Sequence, residues 1–264
     1  MDLGIKGKTA VVCAASKGLG RGCAEALAEA GVKLALNARG DEALQATAQT
    51  IRDRYGVEVI ALPGDVTDAG AQAELLAAAR GLAGGEVDIL VNNAGGPPPG
   101  LWSDWDEDDW LKALRANMLT PIALTKAVLP GMMDRGWGRV VNITSTSVKA
   151  PIPILGLSNG ARAGLTGYVA TVSRQVAPRG VTVNNLLPGT HDTDRIQAID
   201  TATAQRLNKS IDDVRAERAA SIPAGRYGTS DEFGKACAFL CSVHAGFIVG
   251  QNVLLDGGAL NATI

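Results

Sequence analysis

Short runs of aliphatic and β-branched residues alternate along the chain with longer Ala- and Leu-rich stretches whose apolar positions recur at helical spacing. The runs predict strands at 9–14, 33–37, 58–62, 89–92, 139–143, 182–187 and 252–255. The stretches between them predict helices near 19–30, 41–55, 69–82, 107–133, 158–177 and 230–242. Strand, helix and strand in regular succession build right-handed βαβ units. The expected fold class is therefore α/β, a doubly wound parallel sheet of about seven strands flanked by helices. Ligands of such sheets bind beyond the carboxyl ends of the strands.

Two stretches break this rhythm. Gly95-Gly96-Pro97-Pro98-Pro99-Gly100, followed by Trp102 and Trp105, is a turn-rich loop at the end of a strand. Residues 190–223 form a long polar excursion before Gly225-Arg226. Long loops in compact domains tend to carry function, and these two would flank one cleft, so 190–223 reads as a substrate lid. At 264 residues and 46% hydrophobic content the chain can bury a large core, and 1–264 reads as one domain.

Charge narrows the partners. With 25 basic and 27 acidic side chains the net charge is -2, and no basic stripe suits a nucleic acid. Small molecules are the expected partners. No window approaches the length of a membrane span, and Met1 to Lys8 lacks a basic segment leading into an apolar run. A cytoplasmic protein without membrane contact is expected. Cys13, Cys23, Cys237 and Cys241 have neither Cys-x-x-Cys spacing nor a His cluster nearby, so no metal or disulfide is expected and the thiols read as buried and free.

The chemistry begins where the first strand ends. Cys13-Ala14-Ala15-Ser16-Lys17-Gly18-Leu19-Gly20 opens a helix, so backbone N–H groups and the helix dipole point at the place of a dinucleotide pyrophosphate. An acidic residue ending the second strand favours NAD, whereas basic groups receive the extra phosphate of NADP. Here that end reads Asn37-Ala38-Arg39, and Lys17 precedes Gly18, so the expected cofactor is NADP(H).

Further along stands a frame: Gly138 to Ser145, then Ser158-Asn159-Gly160-Ala161-Arg162, then Gly180 to Asn184 and Pro188-Gly189. Over nearly the whole chain it resembles the short-chain dehydrogenase/reductase family, in its 3-oxoacyl-acyl-carrier-protein reductase branch. The resemblance implies a Rossmann-type fold, a hydride-transferring activity on a ketone or secondary alcohol, and a homotetramer. It implies that Asp65-Val66 meets the adenine, that Asn93, Ala94 and Gly95 line the nucleotide cleft, and that Pro188, Gly189, His191 and Thr193 belong to the stretch holding the nicotinamide. Two departures stand out. Ala14 replaces the first glycine of the family's phosphate loop, and Ser158 and Arg162 occupy the places of the catalytic Tyr and Lys, while Ser145 and Asn117 match.

An aliphatic hydroxyl is a weaker acid than a phenol, and a guanidinium cannot shuttle a proton. Ser145, Ser158, Arg162 and Asn117 remain the candidate catalytic set, and Arg162 could also serve the cofactor ribose. The proton donor is open among Lys149, His191, Asp192 and a water between Ser145 and Ser158. Alternatives to ketone reduction are a non-redox lyase- or isomerase-type reaction and a non-catalytic NADP(H)-binding protein. Trp102, Trp105 and Trp110 could line an apolar pocket, Tyr168 reads as core, and His244 as structural.

Overall fold

The computed structural model describes residues 1–262. Seven parallel strands form one sheet in the order β3-β2-β1-β4-β5-β6-β7. They are β1 (Thr9–Cys13), β2 (Lys33–Ala38), β3 (Val59–Pro63), β4 (Ile89–Asn92), β5 (Gly138–Ile143), β6 (Val181–Pro188) and β7 (Asn252–Leu255). The helices α1 (Gly18–Glu29), α2 (Asp41–Tyr55) and α3 (Ala69–Ala83) follow the first three strands. The order reverses between β1 and β4, which opens the crevice where this architecture binds ligands. Strand ends differ from expectation by a residue or so. β1 stops at Cys13 and not at 14 because Ala14 turns into the left-handed region, at φ 50°.

Alternate residues of β1 feed two cores. Ala10 and Val12 pack with Leu27, Leu34, Ile51 and Phe233 on one face, and Val11 and Cys13 with Leu75, Leu124, Met132 and Val169 on the other. All are buried, each large side chain contributing on the order of 1.5–3 kcal/mol. On the first face, α1 lies against α9 (Ser230–Leu240), where a side chain on Gly234 would strike the Gly22 carbonyl. The four thiols are free and buried, as expected. Among the described residues no helix is long and apolar enough to cross a membrane.

The helix expected at 107–133 is three pieces: α4 (Glu107–Leu114), a π turn over Arg115–Leu119, and α5 (Thr120–Asp134). Pro121 has no N–H for the Asn117 carbonyl, and the Thr120 N–H reaches back to Arg115 O in the wider π pattern. The next helix, α6 (Gly156–Val176), begins two residues earlier than the expected 158. The excursion at 190–223 is not a loop. It holds α7 (Asp194–Leu207), capped by Thr193, and α8 (Ile211–Ala220), capped by Ser210. Asp200, fully buried, joins them by accepting from Arg218 Nε at 2.8 Å and from the Tyr227 hydroxyl at 2.9 Å, with Arg215 Nη1 at 3.5 Å. Tyr168 sits half-buried at the edge of the second core, and His244 ties the N-terminal segment through Asp2 O at 2.8 Å.

A ladder of asparagines crosses half of the sheet. Strand register aligns Asn92 with Asn142, Asn142 with Asn185, and Asn185 with Asn252. Each Nδ2 donates to the next Oδ1, at 2.9, 3.2 and 2.8 Å. A one-residue slip of any strand would orphan these amides in the core, so the ladder fixes register. Asn142→Ala removes an acceptor from Asn92 and the donor to Asn185, and should cost roughly 2–4 kcal/mol. Urea unfolding checks this; a loss under about 0.5 kcal/mol would mean that the ladder contributes little.

Candidate active site

The loop between β1 and α1 is shaped for a phosphate. The α1 N-terminus has no side-chain cap and no acidic residue in its first turn, so its free N–H groups face outward. Gly18 takes φ 56°, and a side chain on Gly20 would run into the Ala14 carbonyl, so the loop folds closely on itself. The Thr47 hydroxyl holds Ser16 O at 2.9 Å, and Leu19 packs against the first core. The Thr193 methyl lies over Gly18, 3.5 Å from where a β-carbon would stand. Lys17 pairs with Asp194 at 3.2 Å on the surface, linking loop to lid. An uncapped helix start on a closely folded, glycine-bearing loop suits the binding of an anion such as a dinucleotide phosphate.

At the carboxyl end of β2, Asn37 donates to Leu62 O and Gly64 O at 3.0 and 3.2 Å, and Arg39 is exposed just beyond it. The Thr67 backbone N–H, at 2.9 Å from Oδ1, holds the Asp65 carboxyl below its usual range, with a smaller contribution from Arg39. Val66 packs against the second core, and Gln72 Nε2 donates to its carbonyl at 2.9 Å. Asn93 and Ala94 lie at the β4 exit, with Gly95 following, and the Asn93 backbone N–H faces the Cys13 thiol.

The candidate catalytic residues converge at the carboxyl end of β5. Arg162 is buried, with Nη1 donating to Ile143 O at 2.9 Å and Thr144 O at 2.6 Å and Nε donating to Ser158 Oγ at 3.2 Å. Burial, and secondarily the Arg195 guanidinium, bring Arg162 down to about 10. Ser145 Oγ accepts the Ser147 N–H at 3.1 Å. Ser145 and Ser158 therefore each use a lone pair on the protein and keep the O–H to donate. Asn117 lies buried in the π turn, its Oδ1 without a partner, as is Asn92 Oδ1; both residues line a small cavity with Arg162 and Ile143. The Pro188-Gly189 turn closes the far side, its Gly189 N–H donating to Leu255 O at 2.8 Å.

Two of the expected proton donors are committed elsewhere. The His191 imidazole is buried edge-on against Phe233, ring centres 5.2 Å apart, with Nδ1 3.3 Å from Gly189 O, and burial pushes its pKa down. Asp192 pairs with Arg215 at 2.9 Å, whereas Lys149 is exposed. Nor do the tryptophans form an apolar pocket. Trp102 is 89% exposed, and Trp105 and Trp110 meet edge-to-face and pack over Gly156 and Gly160 of α6. Sequence reasoning missed Arg195. Its Nη2 donates to Pro97 O at 3.4 Å and its guanidinium lies against Gly96, placing a lid cation beside the mouth of the cleft.

Comparison with known proteins agrees with this geometry. A family model described as enoyl-(acyl carrier protein) reductase matches residues 13–260. The 3-oxoacyl-[acyl-carrier-protein] reductase of Vibrio cholerae is 36% identical over 258 residues, covering 97% of this chain and 98% of the relative. Among solved structures, L-sorbose reductase from Gluconobacter frateurii, complexed with NADPH and L-sorbose, superposes with a TM-score of 0.94 at 27% identity, covering 99% of this chain and all of that one (100%). Actinorhodin polyketide ketoreductase with NADPH gives 0.91 at 30%, covering 97% and 98%. Parallel sheet, phosphate cradle and β5 hydroxyl define a dinucleotide-dependent oxidoreductase. The chain belongs to the short-chain dehydrogenase/reductase family.

Ala14 gives a test of the cradle. A left-handed alanine costs about 1–2 kcal/mol, and a glycine returns about 0.4–1 kcal/mol of that as chain entropy. Ala14→Gly should therefore stabilise the protein by roughly 0.5–1 kcal/mol in urea unfolding. A destabilised variant would show that the turn is not strained.

Proposed function

We propose that the protein is an NADP(H)-dependent oxidoreductase interconverting a ketone and a secondary alcohol, similar to the 3-oxoacyl reductases but with an atypical proton donor. The observation that carries this reading is the pair of hydroxyls, Ser145 and Ser158, with donors free at the end of β5 and the Arg162 charge behind one of them. The cofactor would lie along Ser16, Lys17, Gly18, Leu19 and Gly20, with Arg39 and Lys17 near the extra phosphate, Asp65 and Val66 at the adenine, Asn93 to Gly95 along the cleft, and Pro188 to Thr193 at the nicotinamide. When bound, it supplies or accepts the hydride.

The protein's own part is electrostatic. Ser145 and Ser158 donate to the carbonyl oxygen as charge grows on it, and Arg162 polarises the Ser158 hydroxyl. Arg162 cannot release a proton at working pH, so the oxygen would take its proton from a water at the two hydroxyls, the hydroxide left behind being neutralised by exchange with bulk solvent. The unpartnered Oδ1 atoms of Asn92 and Asn117 suit a water behind this site. Helices α7 and α8 serve as the substrate lid of one domain. Exposed Leu111 and Leu119 on the α4–α5 side and Phe247 beyond α9 support assembly as a homotetramer, and the free thiols suit a cytoplasmic enzyme.

The proposal is tested by NADPH oxidation with a panel of ketones, product identity being followed together with absorbance. NADPH should bind at least about tenfold more tightly than NADH, and Arg39→Asp should abolish that preference. Equal affinity of the wild type for both cofactors, or cofactor binding without any alcohol product, would overturn it.

A further inference from the structure

Resting on the reductase reading, we infer that Arg195 is a specificity-determining residue that selects a substrate carrying a carboxylate, so that the ketone reduced is an oxo acid. Arg195 stands in the first turn of α7, two residues beyond the Thr193 that covers Gly18. Of its five N–H donors, a single one meets a protein acceptor, Pro97 O, and at the long distance of 3.4 Å. Among the described residues no carboxylate lies within 4.0 Å of Arg195 or Arg162.

Three carboxylates near Arg195 in the chain are paired with other cations. Asp192 pairs with Arg215, Asp194 with Lys17, and Asp200 with Arg218 and Arg215. The facing wall adds acceptors but no donors at Pro97, Pro98 and Pro99, which lack N–H groups. Arg195 therefore stands at Gly96 and Pro97 without a carboxylate partner, and its charge is felt by the buried Arg162 behind it, whose pKa it helps to lower. Arg195 is exposed, so its free N–H groups are open to a carboxylate, which its planar fork binds through two parallel hydrogen bonds. Cofactor phosphates are anions as well, but the α1 N-terminus, where Thr193 covers Gly18 and Lys17 pairs with Asp194, is there to receive them, whereas Arg195 lies against Gly96 and Pro97. The carboxylate is therefore assigned to the substrate.

The test uses the full chain and paired substrates, acetoacetate with methyl acetoacetate and levulinate with methyl levulinate. The wild type should prefer the acids. Arg195→Met should lower the acid-to-ester ratio of kcat/KM roughly 10- to 100-fold, mainly through KM, the size expected of one charge-assisted contact. Arg195→Lys should recover part of the ratio, and the NADPH dissociation constant should stay within about twofold. An unchanged ratio in Arg195→Met, or a wild type that prefers the esters, would overturn the assignment. So would a loss of NADPH affinity that accounts for the whole effect, since the anion would then be the cofactor's. Should no ketone be reduced, calorimetric titration of NADP-loaded protein with levulinate still decides. Binding by the wild type that is lost in Arg195→Met upholds the carboxylate site while the reductase reading fails, and absence of binding to either defeats the inference.

Discussion

The buried guanidinium of Arg162 is the constraint on which the site depends. A cation so far from water survives only with its hydrogen bonds satisfied, and it has no carboxylate within reach among the described residues. The carbonyls of Ile143 and Thr144, at the end of β5, meet that need together with the Ser158 hydroxyl. Three things follow from one side chain. Helix α6 is pinned to the carboxyl end of β5, the Ser158 hydroxyl is held as an acceptor, and a positive charge stands behind it.

The rest of the cleft is arranged around a second constraint, the close approach of backbone to backbone in the loop between β1 and α1. Gly20 must lack a side chain because the Ala14 carbonyl occupies that space, and Ala14 itself is bent into a left-handed turn by the same packing. The lid is held on its own terms by Asp200, whose partners come from α8 and from Tyr227. Its link to the phosphate loop, Lys17 to Asp194, is exposed and contributes little stability. Helices α7 and α8 are thus held together chiefly by their own buried ion cluster.

Much of this was legible in the sequence. Near-continuous β-branched strands and helical spacing marked all seven strands, because burial on both faces of a parallel sheet leaves little freedom in composition. Ser145, Ser158, Arg162 and Asn117 were placed together only through the family resemblance, since no local pattern joins residues so far apart in the chain. The lid helices were missed because their faces are mostly polar, although Thr193, the Ser210-x-x-Asp213 cap and Asn208 marked their ends. The division of the 107–133 helix was missed too, since Pro121 could be read as an ordinary first-turn proline. Arg195 could not have been found at all: its position depends on how the lid folds back over Gly96, which no local pattern encodes. His191 and Asp192 were plausible donors by chain position alone, and tertiary packing against Phe233 and Arg215 removed both.

The role of the hydroxyl pair and fixed charge is tested most directly by the pH dependence of kcat/KM for NADPH-dependent ketone reduction. Serine hydroxyls do not titrate in the working range, and Arg162, at about 10, stays protonated below it. The profile is therefore expected to be flat between about pH 6 and 9, and Ser158→Ala should lower its height without giving it a slope. An ionisation limb inside that range, persisting in Ser158→Ala, would show that a titrating acid protonates the substrate and would contradict the mechanism.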